Sequence, residues 1–228
     1  MTQVINGNVI TTLSQQQQLA KQGSLWVVNC QTPGTAIAYA VLTAWSATAN
    51  GLFMLYNGET EDSGLNINVN RLELFQTATV ATGTTWSFET YVETGHVVGT
   101  TAVITRTPIQ VNAAETQSTS VIVQAFNAGA ITVPALAAGQ TRNLTGQGWI
   151  PIGVNVIKDV YTMDFGSDAP AAAKTGLTAA RATDVARLCG QMPAFVIPPQ
   201  CTGWINLWGC GSSAPSFEYN LTYSVGAE

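Results

Sequence analysis

The sequence predicts an all-β protein of the sandwich or barrel kind, carrying short helical or irregular insertions. Short apolar runs of strand length recur from Ser24 onward, with Gly, Pro or Asn close by to punctuate them. The stretch Leu65-Asn-Ile-Asn-Val-Asn alternates apolar and amide side chains, the period of a strand with one buried and one polar face. Ten or more such segments joined by Gly, Thr and Asn loops fit stacked antiparallel sheets better than βαβ units. A chain of 228 residues is long enough to bury one sizeable core.

Residues 4–12 hold a turn-like Asn6-Gly7 between β-branched residues. A helix is expected over residues 13–22, where Ser14 can cap, the glutamine run favours helix, and Gly23 stops it. Residues 1–23 therefore read as an N-terminal arm or short helix, able to lie on a neighbouring chain. Residues 24–228 read as a single β-sandwich domain. Its first strands are expected at 25–29, 36–42 and 52–56, and then comes the alternating segment from Leu65. Arg71 breaks the phase of Leu65, Ile67 and Val69 before Leu72 and Leu74 resume one residue out of step, which predicts a bulge or a switch between sheets. Trp86-Ser-Phe-Glu-Thr-Tyr-Val-Glu begins with the same alternation. Further strands are expected near 102–105, 120–126, 130–133, 148–152, 194–198, 203–208 and 216–225. Residues 166–192 stand apart as an Ala-rich insertion with Pro170, Gly176 and Gly190. Within it, residues 178–189 read as a helix closed by Gly190, or else as a long ordered loop.

Composition narrows the function. The chain is 46% hydrophobic and only 9% charged, against about 25% charged for a usual soluble domain. Low charge argues against disorder. It also leaves a surface of Thr, Ser, Asn, Gln, Gly and Ala, suited to protein–protein contact because interface cores are depleted in charge. The net charge is −5, and the eight basic residues are scattered, so clustered phosphate contacts and nucleic-acid binding are not expected. No apolar run approaches the roughly 18 residues of a membrane span. The start lacks the basic and long apolar regions of a signal peptide, so synthesis in a cytoplasm is expected.

Little in the sequence points to catalysis. His96 is the only histidine and has no nucleophile-elbow or triad context. A single histidine also argues against zinc or a facial-triad metal, and neither a cofactor nor enzymatic activity is expected. The acidic loop 57–64 carries Glu59, Glu61 and Asp62, which could offer oxygens to calcium, but it lacks the D-x-[DN]-x-[DN]-G pattern; an acidic hairpin tip explains it equally well. Cys30, Cys189, Cys201 and Cys210 have no zinc-type spacing. The residues between Cys201 and Cys210 read as one strand, too extended for a disulfide, so reduced and mostly buried thiols are expected. Asn143-Leu-Thr145 and Asn220-Leu-Thr222 match a glycosylation pattern but read as chance matches in a Thr-rich chain. Trp26, Trp86 and Trp204 fall in expected strands and read as core. Trp204 and Trp208, four apart on one strand, share a face that is core, interface anchor or carbohydrate platform.

Two segments carry a resemblance. Leu52-Phe-Met-Leu-Tyr-Asn-Gly, followed by Ser63-Gly-Leu-Asn-Ile-Asn-Val-Asn-Arg-Leu-Glu-Leu, resembles a pattern in virion surface proteins of tailed bacteriophages. So does the closing stretch Phe195-Val-Ile-Pro-Pro, Trp204-Ile-Asn-Leu-Trp and Tyr219-Asn-Leu-Thr-Tyr-Ser-Val-Gly-Ala-Glu. The resemblance covers about a third of the chain and rests on a rhythm of strands. It implies a jelly-roll-like β-sandwich that decorates or cements a capsid, with the major capsid protein and itself, as a homotrimer, for partners. A fibre head that binds a receptor or glycan is the alternative, and the 166–192 insertion departs from the simplest form of the pattern.

Overall fold

The computed structural model describes residues 2–5, 8–11, 15–30, 32, 34–40, 45–46, 48–78, 85–112, 120–151, 160–166, 187–209 and 214–227. The chain begins with an antiparallel pair, β1 (Thr2–Ile5) and β2 (Asn8–Thr11), which belongs to neither main sheet. Helix α1 (Gln15–Lys21) lies inside the expected 13–22 segment. Gly23 ends it in the left-handed region at φ +73°, where the Ser24 N–H reaches the Leu19 carbonyl at 2.9 Å and the Gly23 N–H reaches Ala20 at 3.1 Å.

From there the chain is strand. It runs through β3 (Leu25–Asn29), β4 (Ile37–Ala38), β5 (Gly51–Asn57), β6 (Leu65–Ala78), β7 (Thr85–Thr94), β8 (Val103–Arg106), β9 (Ile109–Gln110) and β10 (Val121–Phe126). Then come β11 (Arg142–Pro151), β12 (Val160–Phe165), β13 (Arg187–Met192), β14 (Phe195–Ile197), β15 (Cys201–Trp208) and β16 (Ser216–Ala227). One sheet has the order β11-β7-β15-β5-β10-β8 and the other β13-β12-β6-β16-β3-β9, with β14 and β4 paired onto β6 and β16. The two sheets pack face to face, an all-β sandwich as the sequence predicts.

Three expectations change in detail. The expected strand over 130–133 is reduced to the isolated bridges of Ile131 and Thr132. β12 lies where no strand is expected. The helix expected over 178–189 fails at its end, because residues 187–189 belong to β13, which pairs in parallel with β12 from Val160↔Arg187 to Phe165↔Met192. Parallel neighbours need a crossover of a dozen residues or more, and the Ala-rich segment supplies that length; residues 167–186 lie outside the described ones.

The phase break at Arg71 is a bulge, as expected. Val69 pairs with Tyr223 and Arg71 with Thr222, so Asn70 is the extra residue on β6. The bulge falls where β6 changes partner on its other side, from β14 at Val69 to β12 at Arg71. The inserted residue keeps both Leu65–Val69 and Leu72–Leu74 patterns facing inward, with Ile67, Val69, Leu72 and Leu74 all buried.

The core between the sheets is aromatic. Trp86 on β7 stacks on Tyr161 of β12 at 4.6 Å and meets Phe217 of β16 edge-on at 5.1 Å. Phe53 on β5 meets Tyr219 of β16 edge-on at 4.9 Å, and Phe126 packs against Phe53, Phe217 and Tyr39. Gly203 on β15 belongs to this face. A Cβ there would collide with the Ile197 and Phe195 side chains of β14, so the absent side chain lets the opposite sheet close. At one end Asn57 ties two crossings between the sheets, its amide donating at 2.9 Å to both the Leu65 and the Ile197 carbonyls.

Trp86 is fully buried within this stack. Trp86→Ala is expected to lower unfolding free energy in urea by about 3–5 kcal/mol, whereas the exposed Trp149→Ala should change it by no more than about 0.5 kcal/mol. Equal losses in the two variants would show that the sheets are not held by this seam.

Candidate functional site

The pleat of β7 sends alternate residues to opposite sides. Trp86 and Phe88 enter the core, so Ser87, Glu89, Tyr91 and Glu93 stand on the outer face of the six-stranded sheet. Register places neighbours on either side of each. Trp208, Ser87 and Trp149 form one row across β15, β7 and β11, and Asn206, Glu89 and Gln147 form the next. Trp204, Tyr91 and Leu144 follow, then Thr202, Glu93 and Arg142.

Glu89 is the centre of this face. Its residue is only 4% exposed. The Trp45 Nε1–H donates to Oε2 at 2.6 Å and the Tyr91 hydroxyl to the same oxygen at 2.8 Å. The Trp208 Nε1–H donates to Oε1 at 3.1 Å, with the Gln147 amide at 3.5 Å. A buried carboxylate is costly unless hydrogen-bonded, and these donors satisfy it with four side chains drawn from four parts of the chain. Two rows further along, Arg142 pairs with the fully buried Glu93 and also donates to the Pro134 carbonyl at 2.8 Å.

The same bonds fix the rings. Three aromatic side chains have their polar edges pinned on one carboxylate, while Trp45 and Trp149 stay 50% and 56% exposed. Beneath them the Ser87 Oγ and Asn206 Oδ1 atoms are buried and have no hydrogen-bond partner among the described residues. Glu89 and Glu93, four residues apart on one strand, are separated by about 13 Å of backbone. Glu89 is held by its four donors and Glu93 by Arg142, with the second Glu93 oxygen unpartnered among the described residues.

The residues singled out from sequence land elsewhere. Trp204 and Trp208 do share a face, but it is this outer one. Trp204 is fully buried there, because the segment around Gly99 and Ile131 covers it, and its indole nitrogen has no partner among the described residues. Trp208 is half-buried against Glu89. Trp26 and Trp86 are core as expected. The acidic loop is not a hairpin tip, since β5 and β6 lie in different sheets and the loop crosses between them. Glu61 and Asp62 are exposed in a 3₁₀ turn, while Glu59 accepts from the Ser120 hydroxyl. Among the described residues no cluster of three His, Cys, Asp or Glu could hold a metal ion, and no helix is long and apolar enough to cross a membrane. His96 is exposed and stacks on Tyr56 at 4.1 Å. Cys30 and Cys201 are free thiols, and burial raises both above the ordinary thiol range, which keeps them protonated and poorly nucleophilic. Cys189 lies in β13, and Cys210 falls outside the described residues.

Glu89, Tyr91 and Trp149 escape notice in the sequence because each sits in an ordinary strand. The one available signal is the alternation Ser87, Glu89, Tyr91, Glu93, which sets two carboxylates on a single face. Comparison with protein-family models, curated proteins and solved structures returned no match.

Burial, and then the Glu89 carboxylate that accepts its proton, push the Tyr91 hydroxyl up to about 12, with the Trp45 N–H and Arg142 pulling the other way. Because the folded value exceeds the ordinary 10, this group's contribution to stability is intact below pH 10 and is lost as pH rises towards 12. Glu89→Gln should bring Tyr91 part of the way back towards 10, since burial remains, and narrow that alkaline window. Phenolate absorbance followed alongside circular dichroism checks it; an unchanged titration would mean that Glu89 does not hold Tyr91.

Proposed function

We propose that this chain is a virion structural protein, a decoration subunit that binds a capsid surface and further copies of itself through protein–protein contacts. The supporting observation is the outer edge of the eight-stranded sheet. There β9 pairs with β3 through Trp26↔Gln110 and Val27↔Ile109, and alternation buries Pro108 and Gln110 while turning Ile109 and Val111 outward. Those two apolar side chains are 51% and 50% exposed at a sheet edge. Edge strands usually carry charge or proline to repel pairing; here Pro108 is buried, and the two exposed side chains beside it are β-branched and apolar, a surface that a neighbouring chain can cover.

The remaining features agree with that reading. A surface drawn from a chain with 9% charged residues loses little on desolvation. The β1–β2 hairpin stands outside both sheets, and a two-stranded hairpin is marginal alone. Laid on an adjacent subunit it would gain the pairing it lacks here, in the manner of strand addition. The resemblance to virion surface proteins of tailed phages points the same way.

Expressed alone, the chain is expected to sediment as a trimer and to bind capsids stripped of it. Ile109→Glu combined with Val111→Glu should shift the trimer towards monomer while leaving the far-ultraviolet spectrum unchanged. A wild-type monomer with no affinity for any capsid would sink the proposal.

A further inference from the structure

We propose that the outer edge of β11 accepts the β1–β2 hairpin of a neighbouring copy, which extends the six-stranded sheet by strand addition. The inference rests on the self-association proposed above and deepens it by naming the two segments that meet.

The donor is a hairpin with both outer edges unused. Its strands pair with each other from Thr2↔Thr11 to Ile5↔Asn8, and no ladder joins either one to another strand among the described residues. A two-stranded hairpin is marginal in water. Neither strand carries a charge, and Val4, Ile5, Val9 and Ile10 are β-branched, a composition that favours pairing in a sheet.

Comparing the edges identifies the acceptor. The six-stranded sheet ends at β11 and β8, and the eight-stranded sheet at β13 and β9. β9 has two residues and follows Pro108. β8 has four and closes on Arg106, while β13 opens on Arg187 and runs into Pro193. Short length, charge and proline are what keep an edge strand from pairing. β11 is ten residues long and carries none of these over residues 143–150. Asn143, Leu144, Thr145, Gln147 and Trp149 along it are exposed. The opposite sheet reaches this flank through the Pro193 ring, which a Cβ on Gly146 would meet at 3.1 Å. Proline has no N–H to give, and the two sheets pass here without joining their ladders.

Within one chain the hairpin and the β11 edge stay unpaired, so their pairing calls for a second copy. Donor and acceptor are different surfaces, which makes the contact heterologous. Such contacts form a ring when the rotation closes, and the trimer expected above is such a ring. Main-chain bonds supply the affinity in strand addition and alternate side chains the fit. Leu144 and Trp149, both on the outer face, would flank the added strand.

The test places photoreactive benzoylphenylalanine at Leu144 of the full chain and irradiates oligomers assembled from an equal mixture of nitrogen-15-labelled and unlabelled protein. Cross-links to residues 1–12 that join labelled to unlabelled chains are expected in the trimer fraction. Val4→Pro with Ile10→Pro removes hairpin N–H donors and should weaken trimer formation at least about tenfold, with thermal unfolding of the sandwich unchanged. Asn143→Lys with Leu144→Lys should weaken it likewise from the acceptor side. The proposal is overturned, with self-association left standing, by a trimer whose cross-links stay within single chains, reach the 109–111 edge instead, or do not form. Cross-links to the capsid protein in place of residues 1–12 overturn it too, and a wild-type chain that remains monomeric overturns both readings.

Discussion

Trp86 lying flat on Tyr161 at 4.6 Å, with Phe217 against its edge, is the contact on which the rest of this molecule depends. It joins the six-stranded to the eight-stranded sheet through residues that are fully buried. Sheets in such a sandwich lie about 10 Å apart, and aromatic side chains reach across that gap where shorter ones leave voids. The spacing is kept at one end by Asn57, whose amide holds the two crossings together, and in the middle by Gly203, which gives way to Ile197 and Phe195. Polar and apolar devices thus serve one constraint, the closure of two faces.

That closure has a consequence outside the core. β7 contributes Trp86 and Phe88 to the seam and Ser87, Glu89, Tyr91 and Glu93 to the outer face, so anything that fixes the first set fixes the second. Sites built on strands locked by packing are more precisely held than sites on loops. The Glu89 carboxylate extends this rigidity to Trp45, which is not on a strand, by accepting its N–H at 2.6 Å. The opposite sheet shows a different outer character, with Ile109 and Val111 turned out at its edge. One frame therefore carries two unlike outer surfaces, an apolar edge at Ile109 and Val111 and an aromatic face gathered on the Glu89 carboxylate.

Much of the frame was legible in the residues. The alternation from Leu65 gave β6, and the slip at Arg71 announced either a bulge or a switch between sheets; the structure has the bulge, which keeps both apolar sets on the buried side. The buried runs 25–29 and 52–56 gave β3 and β5 for the same reason. Residues 178–189 misled, since alanine and Gly190 favour a helix locally while Leu188 and Cys189 pair with Tyr161 and Thr162 in a sheet; tertiary pairing overrode propensity. The acidic loop looked like a hairpin tip because sequence cannot say that β5 and β6 belong to different sheets. The candidate face was hidden for a related reason. It is assembled by the register of β15, β7 and β11 and by a tryptophan from a loop, and register between distant strands leaves no trace in a single sequence. The alternation from Trp86, which sets Glu89 and Glu93 on one side of β7, was readable, as was the shared parity of Trp204 and Trp208, and that parity falls on the outer side of the sheet.

An electron cryomicroscopy image of the particle with this chain located in it tests most directly whether the sandwich works through its apolar edge. The expected result is a subunit on the outside of the capsid, with the Ile109 and Val111 edge against a neighbouring chain. A particle that lacks the chain, or one in which the Ile109 edge is bare, would contradict it.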